Sequence, residues 1–520
     1  MGLSKYRRGD SSNESNAQPE YVRTRPKRSL QWITGMLLLA LPAAFLLFGG
    51  QFLASGDNSR AAEGIAGPGP GGAPTVSPEP VPGNRAAAAA IDVPEYEPAE
   101  PMPEVDGQTV VSLTFDDGFA GQYRAAEIVS EAGLDGTFYI NSGNLDKPGY
   151  LTLKQAKEIA LDGHEIGGHT LSHADVRELS ADEAARQICV DRQNLVEWGF
   201  SVTNFAFPFA SRNQQVENSA RECGYNSARS LGDIRTRFSC EGCPTAESLR
   251  PAKPYRLQAP EEVENNWTLA DMQEAVTSAE SDGGWVILTF HGLCPYECTE
   301  IGVEEDTFTQ FVDWLAELNA GGTTVTRTVQ EVIGGPNREP VIWSSPSPAD
   351  SSVNGVKNPG LEQRGSTGTP VCWMEGGFGL NKAEFSTGEG RSGSSGTRVV
   401  VEGYVDGDAK LVQQQDLGEC APAVAPDERY SLRAWYRADA RTQFSVYYRD
   451  GIGLWHYWTA GPYLPASDDF TQAEWTTPPV PDDATALSFG LALLGNGELT
   501  TDDYALYNSE GAPPLEGPAR

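Results

Sequence analysis

One stretch limits the fold more than any other. Val110 to Phe119 reads VVSLTFDDGF, an apolar run that passes directly into two carboxylates and a glycine. Val110, Val111, Leu113 and Phe115 leave neither face of a strand for water, and strands covered on both faces belong to parallel sheets flanked by helices. In such folds chemistry gathers where strands end at their carboxyl edge. Asp116 and Asp117 fall at that edge. Adjacent carboxylates repel when both are ionised, so they persist as an anion pair only beside a cation or a positively polarised group. Standing alone, Asp-Asp-Gly would be a surface turn.

The neighbouring chain supplies the alternation such a sheet requires. Gln122 to Ala132 has helical spacing and leads to the β-rich run Gly136 to Asn141. Thr152 to Asp162 is a second helix, stopped at Gly163. Ala181 to Trp198 is a long amphipathic helix begun by Ser180, with Glu183 at the capping-box position. Asn204 to Phe209 and Trp285 to Phe290 read as strands, and Thr307 to Ala320 as a helix closed by Gly321 and Gly322. Repeated β-then-α order over 107–335 predicts a barrel or a doubly wound sheet.

The flanks differ in character. Residues 336–353 carry Pro336, Pro340, Pro346 and Pro348 and read as a linker, and from 354 to 511 strand alternation without helices predicts a β-sandwich or jelly roll, followed by a short tail, 512–520. At the other end, 1–28 is a basic segment with Lys5, Arg7, Arg8, Arg23, Arg25, Lys27 and Arg28, while 29–56 carries no charge. That apolar run exceeds the ~20 residues needed to cross a hydrocarbon core, and its basic flank orients the remainder outside the cytoplasm. An uncleaved anchor and a cleaved signal both fit. Residues 57–106, rich in Ala, Pro and Gly, lack the large apolar side chains that offset chain ordering and are predicted to be an unstructured spacer.

Charge and cysteines narrow the class further. A formal net charge of -34 argues against a nucleic-acid partner, since phosphate would be repelled over most of the surface. The eight cysteines suit disulfides in an exported region. Cys240 and Cys243 with Cys294 and Cys298 form the alternative, a structural four-thiolate zinc site.

Three of the five histidines lie in polar motifs beside glycines. His169 and His173, in GGHTLSH, are four apart, which on a helical turn places both imidazoles on one side. With Asp117 they make a His-His-Asp set that leaves positions for water and substrate on a divalent ion, for which zinc, cobalt or nickel are all acceptable. His291 follows the strand Trp285 to Phe290, again at a carboxyl edge. His164, ahead of Glu165, reads as structural.

In this order TFDDG, H-x-x-x-H and ILTFHG resemble the polysaccharide deacetylases of the NodB-homology type, from about Gln108 to Gly335. The resemblance implies a distorted (β/α) barrel and a metal-dependent hydrolase that removes N-acetyl, sometimes O-acetyl, groups from sugar polymers. Carried over by position, it makes Asp116 the general base, Asp117, His169 and His173 the metal ligands, and His291 the general acid. An Arg-x-Pro-Tyr-like motif aligns with Ala206-Phe207-Pro208-Phe209, which makes the amide of Phe209, set by Pro208, the oxyanion donor. Ala206 stands where many members carry an arginine beside the base. Arg229, near a later strand end, is the candidate to supply that charge.

The 354–511 region loosely resembles carbohydrate-binding jelly rolls. Along Tyr430 to Arg437 the alternation puts Trp435 on the polar face between arginines, where an indole could stack on a pyranose, unless a loop or the barrel covers it. Cys372 and Cys420 could close a disulfide there. The expectation is a membrane-anchored, extracytoplasmic polysaccharide deacetylase with an appended sugar-binding sandwich; the alternative is a non-catalytic cell-surface glycan-binding protein on the same fold.

Overall fold

A computed structural model describes residues 91–93, 100–103, 107–281, 283–343 and 346–515. The predicted basic segment (1–28) and apolar span (29–56) lie outside the described residues. Among the described residues no helix is long and apolar enough to cross a membrane. The described pieces of the predicted spacer are tied to the folded part: the Ile91 carbonyl accepts from Lys157 Nζ at 2.9 Å and Met102 N donates to Val332 O at 3.1 Å.

The first half runs β1 (Thr109–Phe115), α1 (Gln122–Glu131), β2 (Gly136–Ile140), α2 (Leu153–Leu161), β3 (Glu165–Gly168), α3 (Ala181–Glu197), β4 (Asn204–Ala206), α4 (Gln214–Glu222), β5 (Ser227–Arg229), α5 (Leu269–Thr277), β6 (Gly284–Phe290), β7 (Gly292–Cys294), β8 (Gly302–Glu304), α6 (Glu305–Gly321), β9 (Thr324–Thr326) and α7 (Val329–Ile333). Caps set several of these ends. Thr152 closes a full capping box on α2, and Gly322, left-handed at φ 83°, ends α6. β4 stops three residues before the predicted strand does, because Pro208 and the left-handed Phe209 and Ala210 turn the chain away.

The strands form a parallel sheet in the order β5-β4-β3-β2-β1-β6, and β9 joins β1 beside Thr109 to Val111. Between β5 and β6 the irregular stretch 247–259 fills the gap, with Leu257 N donating to Ala228 O at 2.9 Å and Glu247 N to Trp285 O at 2.8 Å. The result is a distorted (β/α) barrel. Period-two alternation sorts β1: Val111, Leu113 and Phe115 pack under the helices with Phe138, Phe290 and Phe308, while Val110 joins Trp285 and Ile287 in a separate core. Each buried phenylalanine of the first group contributes roughly 1.5–3 kcal/mol. On the side of Val110, Trp285 Nε1 donates to Ser112 Oγ at 2.9 Å, and Thr114 and Thr289 hydroxyls meet at 3.0 Å.

The second half is all antiparallel: β10 (Trp373–Phe378), β11 (Lys382–Gly388), β12 (Gly396–Glu402), β13 (Asp408–Gln413), β14 (Tyr430–Ala438), β15 (Thr442–Arg449), β16 (Trp455–Ala460), β17 (Ser467–Thr476), β18 (Ala486–Leu493) and β19 (Gly497–Asn508). They make two five-stranded sheets, β10-β13-β18-β15-β16 and β11-β12-β19-β14-β17, closed on a shared core that includes Leu411, Leu432, Phe444, Phe489 and Leu506.

The cysteines pair as Cys189–Cys223, Cys240–Cys243, Cys294–Cys298 and Cys372–Cys420. Each close pair closes its own loop, so the four-thiolate zinc alternative is overturned. Two further expectations are corrected. Ser180 Oγ caps α3 by accepting from Glu183 N at 3.2 Å, yet Glu183 does not close the box; its Oε1 accepts from Leu417 N of the sandwich at 2.8 Å. Trp435 is only 4% exposed, because the Arg391 guanidinium lies 3.7 Å above its ring, so it offers no open face to a sugar.

Candidate metal and active centre

Register explains why distant residues converge. Phe115 pairs with Phe138 and Phe290, Ile140 with Gly168, and Ala206 with Arg229, so the residues that follow β1, β2, β3, β4 and β6 emerge at one carboxyl edge. Those residues are Asp116, Asn141, His169, Phe207 and His291. Asp117 then adopts a left-handed conformation, φ 78°, as Asp tolerates better than most residues. The turn separates two neighbouring carboxylates by role: Asp116 meets Arg229, and Asp117 meets the histidines.

Asp117 Oδ1 lies 3.3 Å from His169 Nε2 and 3.0 Å from His173 Nε2. The His169–Thr170–Leu171–Ser172–His173 segment is not the helical turn expected from its spacing. It is a loop after β3 in which Thr170 and His173 are left-handed, and that curl brings the two rings to 5.0 Å between centroids. His169 Nδ1 sits 2.8 Å from the Ala206 carbonyl and can only donate there, so in the neutral ring Nε2 is an acceptor aimed at a carboxylate oxygen. Two acceptors face each other across 3.3 Å, an arrangement that calls for a proton or a cation between them. Two imidazole nitrogens and one carboxylate oxygen, all within 4.8 Å of one another, fit a divalent ion with open positions. Burial would raise the Asp117 pKa, but hydrogen bonds to both histidines hold it well below the usual carboxylate range. His169 is pushed down by burial and pulled up more strongly by Asp116 and Asp117.

Asp116 is 2% exposed, and Arg229 Nη2 lies 2.6 Å from its Oδ1 and also contacts Oδ2. The cation thus comes from the end of β5, the strand next to the β4 position that Ala206 leaves empty. Arg229 in turn lies 5.3 Å over the Tyr139 ring. His291 is partly buried, and its Nδ1 has no hydrogen-bond partner among the described residues. Gln122, fully buried at the start of α1, staples the two strand ends by donating to the carbonyls of Asp116 and His291, the latter at 3.0 Å. Phe209 is 66% exposed with its ring 4.5 Å from that of His173, and its N–H has no acceptor among the described residues; Pro208 beside it is buried. His164 is buried and structural: Gly136 N donates to its Nδ1 at 3.0 Å, and its Nε2 lies 2.9 Å from Ser130 Oγ. Trp435 lies on β14 of the sandwich and is not part of this centre.

Sequence reasoning missed the residues that hold the ligand loop. Asp191, on α3, accepts from Ser142 N at 2.8 Å through Oδ1 and from His169 N at 2.9 Å through Oδ2. Burial pushes its carboxyl up to about 6, against the pull of those amides. Gln187 receives Leu171 N on its carbonyl at 3.0 Å and Ser172 N on Oε1 at 3.2 Å. Asn141 Nδ2 donates to Thr170 O at 3.0 Å. Only Asn141, a polar residue ending a strand, carried any signal in the sequence.

Residues 104–228 match the family model for polysaccharide deacetylase. A peptidoglycan-N-acetylglucosamine deacetylase of Bacillus cereus is 24% identical over 124 residues, 24% of this chain and 56% of that protein. A chitin deacetylase of Pestalotiopsis sp is 34% identical over 100 residues, 18% of this chain and 33% of that protein. The chain therefore spans between a third and just over half of the length of these curated relatives. Among solved structures, a family 4 carbohydrate esterase from Streptomyces lividans in complex with acetate aligns at 14% identity and a TM-score of 0.30, covering 44% of this chain and 97% of that one.

Proposed function

We propose that this chain, whose residues 104–228 carry a polysaccharide deacetylase domain, is a metal-dependent hydrolase that removes N-acetyl groups, or O-acetyl groups, from a polysaccharide outside the cytoplasm. The observation that carries the reading is the convergence of Asp117, His169 and His173 beside Asp116 and the strand end that bears His291. Bound by those three side chains, a divalent ion supplies polarisation of a carbonyl and a more acidic water. Zinc suits two imidazoles and one carboxylate, and cobalt or nickel fit the same donors.

The protein's own residues divide the remaining work. Asp116, held by Arg229, accepts the proton from the attacking water. His291 delivers a proton to the departing nitrogen, without which a tetrahedral intermediate would expel water in preference to the amine. The Phe209 N–H, without an acceptor among the described residues, receives the developing oxyanion. The exposed Phe209 ring offers an apolar surface for a pyranose next to His173.

The relatives' names point to peptidoglycan and chitin as substrates to try, and an acetylated xylan belongs in the same panel. Location follows from the charge asymmetry around 29–56: an anchored or exported protein, which membrane fractionation of the full chain tests. For activity, acetate release is measured from acetylated chitin oligomers, peptidoglycan and acetylxylan, with chelator and after zinc is restored. Release from at least one polymer that stops with chelator and returns with zinc is expected, together with a loss of about 10²–10⁴-fold for His291→Ala. No release from any polymer, or release indifferent to chelator, would sink the reading.

A further inference from the structure

The loop that carries His169 and His173 is held from behind by the sandwich. Leu171, midway between the two histidines, is 1% exposed. Its cover comes from the turn between β15 and β16: a Cβ built on Gly453 would stand 2.8 Å from Leu171 Cδ2 and 3.1 Å from Leu417 Cδ2. Gly453 is left-handed at φ 96°, so a side chain there would be strained as well as crowded. On the other flank Gly143 N donates to Leu171 O at 2.9 Å, and a Cβ on Gly143 would meet Leu454 Cδ2 at 2.9 Å.

The turn is itself fixed. Asp450 Oδ1 accepts from Ile452 N at 3.1 Å and Leu454 N at 2.8 Å, and Asp450 Oδ2 lies 2.8 Å from His456 Nε2. One face of α3 then joins both sides. Glu183 accepts from Leu417 N at 2.8 Å and Asn194 Nδ2 donates to Ile452 O at 2.9 Å, while Gln187 and Asp191, between them on the same face, grip the ligand loop.

We infer that the sandwich is part of the catalytic centre: Gly453 and Leu454 are positioning residues that set the loop bearing His169 and His173, so the barrel does not hold its ion site alone. The inference rests on the proposed metal site, and its catalytic consequence rests on the deacetylase reading. Removing support behind a ligand typically costs about 10–100-fold in metal affinity.

The test uses the full chain with Gly453→Ala, Leu454→Ala and, as a control on the same sandwich, Tyr457→Ala. Zinc affinity is measured by competition with a chromophoric chelator, and kcat and KM by acetate release from a short soluble acetylated oligosaccharide. Gly453→Ala and Leu454→Ala are expected to lose about 10–100-fold in zinc affinity and to lower kcat with KM unchanged, while Tyr457→Ala matches the parent chain. Parental zinc affinity in both turn variants overturns the inference, and so does an equal loss in Tyr457→Ala, which would mark general destabilisation. If the parent chain binds zinc but releases no acetate, the deacetylase reading falls while the zinc titration still decides the role of the turn.

Discussion

At the residue scale the Asp116–Arg229 pair is the most consequential contact. Both side chains are buried, and Arg229 Nε and Nη1 have no partner among the described residues, so Asp116 is the principal compensation for a cation taken out of water. Breaking one member of such a pair leaves an uncompensated charge, a cost of about 3–5 kcal/mol. Arg229→Ala is therefore expected to lose that much unfolding free energy in urea at neutral pH, and to lower acetate release by at least about a hundredfold, since the carboxylate is no longer held. Arg229→Lys, which keeps the charge but not the planar fork, should lie between the two. An Arg229→Ala protein with parental stability would contradict the account. The sequence contained the vacancy at Ala206 and an arginine near a strand end, but their relation became visible only through register: Ala206 pairs with Arg229. Trp435 shows the converse. Alternation assigned it correctly to the face opposite Leu432 and Ala434, yet its ring is covered by Arg391, which lies 44 residues earlier in the chain and had no local signal.

At the scale of elements, α3 explains why part of the site was unreadable. Glu183, Gln187, Asp191 and Asn194 recur at helical spacing and look like a solvated stripe, but all four are buried, because the stripe faces a polar loop and a second domain. Periodicity distinguishes apolar from polar faces; it does not distinguish water from a hydrogen-bonding neighbour. The histidine loop failed for a related reason, since spacing of four suggests a helical turn and the left-handed Thr170 and His173 give a different curl with the same outcome. Glu183 supplies a pH prediction. Burial first, then the charge of Asp416, pushes its carboxyl up to about 7, against Leu417 N, Arg186 and Arg449. The folded protein thus keeps a proton that the unfolded chain releases near pH 4.5. This contribution to stability is fully present below that value and is lost as pH rises through about 7, by roughly 3 kcal/mol in all. Glu183→Gln should flatten that slope in denaturation measured from pH 4 to 8; an unchanged slope would show that another group sets it.

For the whole molecule the question is whether two cores behave as one cooperative body. The barrel and the sandwich have separate hydrophobic cores, which on their own would unfold independently. What couples them is one helix face, with Glu183 and Asn194 bonded to the sandwich at opposite ends and Leu171 seated beneath Gly453. The 336–353 stretch adds to this, with Arg186 5.4 Å over the Trp343 ring and Ala349 N donating to Ala423 O at 2.8 Å. Calorimetry of the parent chain is accordingly expected to show one transition, and Glu183→Ala with Asn194→Ala to divide it into two. Zinc makes the experiment diagnostic. A ligand that binds only the folded barrel at a hundred times its Kd stabilises it by about 2.7 kcal/mol. In the parent that shift must move the whole transition, because the sandwich cannot melt without releasing the ligand loop; in the double variant it should move one transition and leave the other in place. Two transitions in the parent, only one of them responding to zinc, would mean that the sandwich is merely appended and that the ligand loop keeps its shape without it.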